Sequence, residues 1–218
     1  MTNEAMMCFL LASRDPSGFR PLGTGFALGG RQVATALHVV GPEAGNIHAV
    51  LRRSEVAGYQ DTTDRLVKLP FPLELVHADP IHDLAVLEFP DQVEARVPYK
   101  VTGTDHVDTG TSVVTYGFPH ANDGRVVLTQ QAASVGAKVL MENQGIKNKY
   151  IVLNTLLRPG QSGGPVFDVK TGNIVAVLVG AYVPPGGGGG ILIGNVDPMT
   201  LHQTTHAVSA EYIQDMLE

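Results

Sequence analysis

Hydrophobic positions along this chain come in short runs set apart by turn residues. In the first half they are Cys8–Ala12, Gly25–Leu28, Gln32–Thr35, Ile47–Leu51, Leu73–Val76, Leu84–Phe89, Ser112–Thr115 and Val126–Leu128. Ser134–Leu140, Tyr150–Leu153, Pro165–Val169, Ile174–Val179, Ile191–Gly194 and Thr204–Val208 follow. The runs are rich in β-branched residues and too short for helices, which predicts strands. The C-terminal "SAEYIQDMLE" has helical spacing instead. Ser209 is placed to cap it, and Ala210, Ile213, Met216 and Leu217 fall on one face, predicting a helix over residues 209–217. The low-complexity segment "PPGGGGG", 184–190, lies between strand-like flanks and reads as a flexible hairpin tip.

Composition narrows the class. With 25 glycines and 14 prolines, a barrel or sandwich follows more easily than a helical bundle. The 218 residues, 44% of them hydrophobic, suffice for one domain or for two small units sharing a core. A net charge of -6 with no basic run argues against a nucleic-acid partner, because phosphate contacts need clustered Lys and Arg. Cys8 has no disulfide partner in the chain, and a zinc site of several cysteines is excluded. The opening "MTNEAMMCFLLAS" has no basic stretch ahead of an apolar run too short to span a bilayer. The expectation is a cytoplasmic protein with no membrane partner.

Three local patterns carry the candidate chemistry: "TALHVV" with His38, "HDLAVLEF" with Asp83 and "GQSGGP" with Ser162. A serine hydroxyl is a poor nucleophile until a base removes its proton, and that base needs a third group to fix its tautomer. Singly, each residue has an ordinary alternative: a core histidine, a turn aspartate, a loop serine. In the order His, Asp, Ser they match the sequence order of β-barrel hydrolases. His202 and His206 lie four apart but lack the glutamate of a helical zinc motif, and His77 and His82 read as surface or turn residues. The glycine run lacks the Gly-Lys-Ser/Thr of a phosphate loop.

The wider contexts are "GTGFAL" at 23–28 leading into "VATALHVV", then "ADPIHDLAVLEF", "TYGFPH" at 115–120, "GQSGGPVF" and the closing "THAVSAEYIQDMLE". Over nearly its whole length the chain thereby resembles the chymotrypsin/trypsin-like serine proteases, most of all the HtrA/Deg-type protease domain and related bacterial trypsin-like peptidases, here without a PDZ domain after it. The resemblance implies an all-β fold, a double six-stranded antiparallel β-barrel with a short C-terminal helix. Residues 1–100 would form the barrel carrying His38 and Asp83, and 101–218 the barrel carrying Ser162.

The resemblance further implies catalysis by His38, Asp83 and Ser162 with no metal or organic cofactor, and an oxyanion hole made by the Gly160 and Ser162 N–H groups. Gly163 and Gly164 would keep the approach clear for a bound peptide. Gln161 stands where many relatives carry Asp or Asn, which bears on the resting shape of the hole. A substrate pocket would be walled by Asn154, Thr155, Leu156 and Leu157 and by Val177, Leu178 and Val179. Leu156 occupies the place of the carboxylate that would select Arg or Lys, so small or apolar P1 residues are expected. Segment 184–190 would act as a flap beside the cleft. The partners expected are a protein or peptide substrate and an activating protein or oligomer. A protease-shaped module that binds peptides without cutting them is the alternative, and an esterase a third reading.

Overall fold

The computed structural model describes residues 5–16, 18–41, 44–50, 58–62, 70–90, 93–182 and 204–218. They form two closed six-stranded antiparallel barrels, the architecture the resemblance implies. The first contains β1 (Cys8–Asp15), β2 (Gly18–Gly29), β3 (Gln32–Ala36), β4 (Ile47–Val50), β5 (Pro70–Asp79) and β6 (Leu84–Glu88). Its strands close in the order β1-β2-β3-β6-β5-β4. The second contains β7 (Ser112–Gly117), β8 (Thr129–Asn143), β9 (Ile146–Leu153), β10 (Pro165–Asp168), β11 (Ile174–Tyr182) and β12 (Thr204–Ser209). It closes in the order β10-β11-β12-β9-β8-β7.

The unbroken apolar runs have a physical reason. Side chains alternate across a strand, so a strand with both faces covered must be apolar at every position. On β1, Phe9 and Leu11 fill the first barrel while Cys8, Leu10 and Ala12 join the cluster at the seam between barrels. On β6, Ala85 and Leu87 point inward and Leu84 and Val86 face the seam. On β11 the division is Val175 and Leu178 inside, Ile174 and Val177 at the seam. Burying each such Val, Leu or Ile contributes roughly 1.5–3 kcal/mol. The seam is therefore a core in its own right, built around Phe26, Tyr116, Phe118 and Phe167.

Three expectations are corrected. Val126–Leu128 is not a strand, because both backbone groups of Leu128 bond the Gln60 amide, at 2.9 Å and 2.7 Å, instead of a neighbouring chain. β8 and β9 extend well beyond Ser134–Leu140 and Tyr150–Leu153. Their outer ends form a hairpin held by backbone pairing from Leu140–Lys149 to Asn143–Ile146, with little apolar burial to mark it in the sequence. The terminal helix is shorter than 209–217. Ser209 stays in β12 with its hydroxyl accepting the Thr104 N–H at 3.0 Å, so the helix Glu211–Asp215 starts from Ala210 without a side-chain cap. Ile213 still buries as its spacing predicts. The run Ile191–Gly194, the 184–190 segment and His202 lie outside the described residues.

Between the barrels, Tyr99 bridges both. Its hydroxyl donates to the Ala27 carbonyl on β2 at 2.7 Å, and its ring meets Phe167 of β10 edge-on at 5.1 Å. Tyr99→Phe should cost about 1 kcal/mol through the lost neutral hydrogen bond. Tyr99→Ala should cost about 3–5 kcal/mol through the cavity left at the seam. Urea unfolding of the two variants against the parent checks the order and the gap.

Candidate active site

After β3 the chain makes one helical turn, α1 (Leu37–Val40), before Gly41 ends it. Val39 and Val40 insert into the first barrel's core, and that places His38 on the outer side with 46% of its side chain exposed. A histidine among valines is thus not a core residue here, because the valines take the core positions. Asp83 closes the turn between β5 and β6 with its backbone in the left-handed region, φ 57°. Such a conformation costs a non-glycine residue on the order of 1–3 kcal/mol unless its surroundings hold it.

What holds it is α1. The Asp83 carboxylate accepts the His38 backbone N–H at 2.9 Å through Oδ1 and lies 2.6 Å from the ring Nδ1 through Oδ2. The Asp83 carbonyl accepts the Leu37 N–H at 2.9 Å. A carboxylate only accepts, so Nδ1 carries the proton and Nε2 presents a free lone pair. That is the tautomer a general base requires.

Ser162 lies half-buried in the loop between β9 and β10, and the first barrel holds that loop in place. Thr24 of β2 donates its N–H to the Ser162 carbonyl at 2.9 Å and its hydroxyl to the Gly160 carbonyl at 2.7 Å. The same hydroxyl accepts the Phe118 N–H at 3.2 Å, and the Thr24 carbonyl accepts the Thr35 hydroxyl at 2.7 Å. Gly163, at φ 83°, comes so close that a Cβ would stand 2.1 Å from Thr35 Oγ1 and 2.2 Å from the Thr24 carbonyl oxygen. The room Gly163 leaves is taken by the Thr35 hydroxyl and the first barrel's backbone, not kept open for a peptide.

Gly160, at φ 93°, passes against the Phe118 carbonyl in the same way. No carbonyl among the described residues accepts the N–H of Gly160 or of Ser162. Neither donor is thus taken up by a described carbonyl; a pair of donors aimed at one point beside a nucleophile is what stabilises a developing oxyanion. No hydrogen bond joins Ser162 to His38 among the described residues, a contact that in free enzymes often tightens only when substrate binds.

Gln161 is buried at 2% exposure and braces the loop from within. Its Oε1 accepts the Arg158 N–H at 2.8 Å, while its own N–H donates to the Arg158 carbonyl at 3.1 Å. Its Nε2 donates to Gln131 Oε1 at 3.2 Å. Gln131 in turn donates to Thr155 Oγ1 and to the Leu156 carbonyl, and Thr205 donates to the Thr155 carbonyl at 2.6 Å. Sequence reasoning missed Thr24, Gln131 and Thr205. Thr24 did leave a signal, a lone polar residue between two glycines in an otherwise apolar run; "QQAAS" and "TTHAV" gave none.

Leu156 is 38% exposed and Leu157 packs partly against the second barrel. Val177 and Leu178 are fully enclosed in the seam and barrel cores, so of the second expected wall only Val179 keeps exposed surface. Asn154 is exposed, and Thr155 is half-buried within the polar network. His77 is on the surface. His82 sits in the Asp83 turn, paired with Asp79. Burial lowers the pKa of His206 on β12.

Thr24→Val keeps the shape of the side chain and removes only its hydroxyl, leaving the Gly160 carbonyl and the Phe118 N–H unpartnered in a dry seam. A loss of about 2–3 kcal/mol is expected, with Thr24→Ser near the parent; denaturant midpoints decide it.

Comparison with known proteins follows the same lines. Residues 23–177 match the trypsin-like peptidase domain family. A probable periplasmic serine endoprotease, DegP-like, of Brucella suis is 30% identical over 122 residues, 54% of this chain and 22% of that protein. Serine protease Rv3671c of Mycobacterium tuberculosis is 24% identical over 74% of this chain and 36% of its own length. The chain thus spans well under half the length of these curated relatives. Among solved structures, the active form of Rv3671c protease superposes with a TM-score of 0.67 at 21% identity, covering 98% of this chain and 80% of that one. The MamO protease domain of Magnetospirillum magneticum gives 0.70 at 18% identity, covering 99% and 98%. These structural likenesses show the fold. With its fold, its site geometry and a family match over most of its length, the chain belongs to the trypsin-like peptidase domain family.

Proposed function

We propose that the chain is a serine endopeptidase. The observation that carries this reading is the two-point contact of Asp83 on His38, on the same barrel whose Thr24 holds a serine loop with no described carbonyl on its Gly160 and Ser162 N–H groups. His38 Nε2 takes the Ser162 proton as Oγ attacks the scissile carbonyl. The two amides hold the oxyanion, and Asp83 stabilises the imidazolium. Collapse of the tetrahedral intermediate expels the amine with the proton from His38 and leaves an acyl-serine, which water then hydrolyses through the same base.

An extended peptide has a place to lie. On the side away from β12, β11 pairs with β10 and the serine loop only as far as Leu178. From Val179 onward that edge has no partner among the described residues, and a peptide can add there as an antiparallel strand. Small or apolar P1 residues fit exposed Leu156 at the position where a carboxylate would favour Arg or Lys. The Gln161 brace supports a loop set for catalysis in the chain alone. The DegP-like relatives are named periplasmic, and a single buried Cys8 is chemically suited to either side of a membrane.

The test is cleavage of an unbiased peptide library by the purified protein. Parent activity is expected, with Ser162→Ala lowering kcat by on the order of 10⁶ and Asp83→Asn by roughly 10⁴ through the wrong histidine tautomer. A profile led by Arg, Lys or Glu at P1 would overturn the pocket reading. Cleavage only after another protein is added would show activation by a partner. Peptide binding with no cleavage under any condition would make the chain a binding module.

A further inference from the structure

A second carboxylate–imidazole pair stands one turn ahead of Asp83. Asp79, the last residue of β5, lies across from Leu84 at the start of β6. Its Oδ1 accepts the N–H groups of Ile81 at 2.9 Å and His82 at 3.1 Å, an aspartate-centred turn. Its Oδ2 meets His82 Nδ1 at 2.5 Å. The imidazole then stacks on the Tyr212 ring at 3.6 Å and 17°. Tyr212 belongs to the C-terminal helix α2 (Glu211–Asp215), and its hydroxyl accepts the Lys149 N–H from β9 at 2.9 Å. From the end of β8, the Asn143 amide donates to the Ile81 carbonyl at 2.8 Å.

Capping the turn needs only Asp79 and the two N–H groups. The pairing of the ring with Oδ2 and its stacking on α2 add nothing to a cap. They fix the direction of residue 82, whose peptide leads directly into Asp83 at φ 57°. Left to relax toward an ordinary φ, Asp83 would rotate its carboxylate away from His38. Strain of this kind persists only where neighbours over-determine it, and here the direct hold of α1 on Asp83 is joined by contacts of the second barrel and the terminal helix on the residues just before it.

We propose that His82 is a positioning residue for Asp83, anchored by Asp79 and Tyr212, through which helix α2 and the β8–β9 hairpin hold the aspartate on His38. The proposal rests on the reading of His38, Asp83 and Ser162 as catalytic, so its test has one readout that needs no activity. That readout is the low-field NMR signal of the His38 Nδ1 proton shared with Asp83, assigned by its loss in Asp83→Asn.

His82→Ala should displace or broaden this signal and lower kcat about tenfold at unchanged KM. His82→Asn, whose amide can still donate to Asp79, should restore most of both. An unchanged signal together with unchanged kcat in His82→Ala overturns the proposal. If the parent cleaves nothing under any condition, the protease reading fails and the proton signal alone decides the role of His82. If His82→Ala lacks a cooperative melt, Tyr212→Leu, which removes only the stacked ring and its hydroxyl, is read by the same two measurements; parent values in both overturn the proposal.

Discussion

A single threonine ties the two halves of the site together. Thr24 lies in the first barrel, and its N–H and hydroxyl are committed to the serine loop of the second, while Thr35 satisfies its carbonyl. Buried polar groups at a seam lined with Phe26, Tyr116 and Phe118 have no water to turn to, so each must find a partner within the protein. Shifting the barrels relative to each other would break several of these bonds together. The apolar seam supplies the adhesion between barrels, and Thr24 supplies the register. Because the histidine and aspartate ride on one barrel and the serine on the other, that register decides whether they form a site.

Two strained backbone positions flank the candidate site. Asp83 is one of three non-glycine residues with positive φ among the described residues, and His120, another, donates its N–H to the Pro159 carbonyl beside the serine loop. Gly160 and Gly163 take positive φ within the loop itself. No non-glycine residue inside a described strand shares this conformation. The barrels are rigid enough to hold a few unfavourable backbone conformations, and those conformations aim the side chains and amides.

Much of this was legible in the sequence, and the reason is burial. The runs in β1, β6 and β11 are apolar at every position because each strand is covered on both faces, so they stand out from the polar turns. The three motif contexts were legible because glycine and valine are needed around the reactive side chains for steric reasons. What stayed hidden is held by polar contacts between distant residues. Gln60 clamping Leu128 removes an expected strand, and Thr104 engaging Ser209 removes an expected helix cap. The network from Gln161 through Gln131 to Thr155 leaves no periodic trace. The outer β8–β9 hairpin was hidden for the opposite reason, since it buries too little apolar surface to write a pattern.

The central claim is that His38 and Asp83 on one barrel activate Ser162 on the other. The most direct measurement is peptide mapping by mass spectrometry after reaction of the folded protein with a fluorophosphonate, which phosphonylates only an activated serine. The account predicts one adduct, on Ser162, absent from His38→Ala and slowed in Thr24→Val. An adduct at another residue, or no adduct on folded protein in any condition tried, would contradict it.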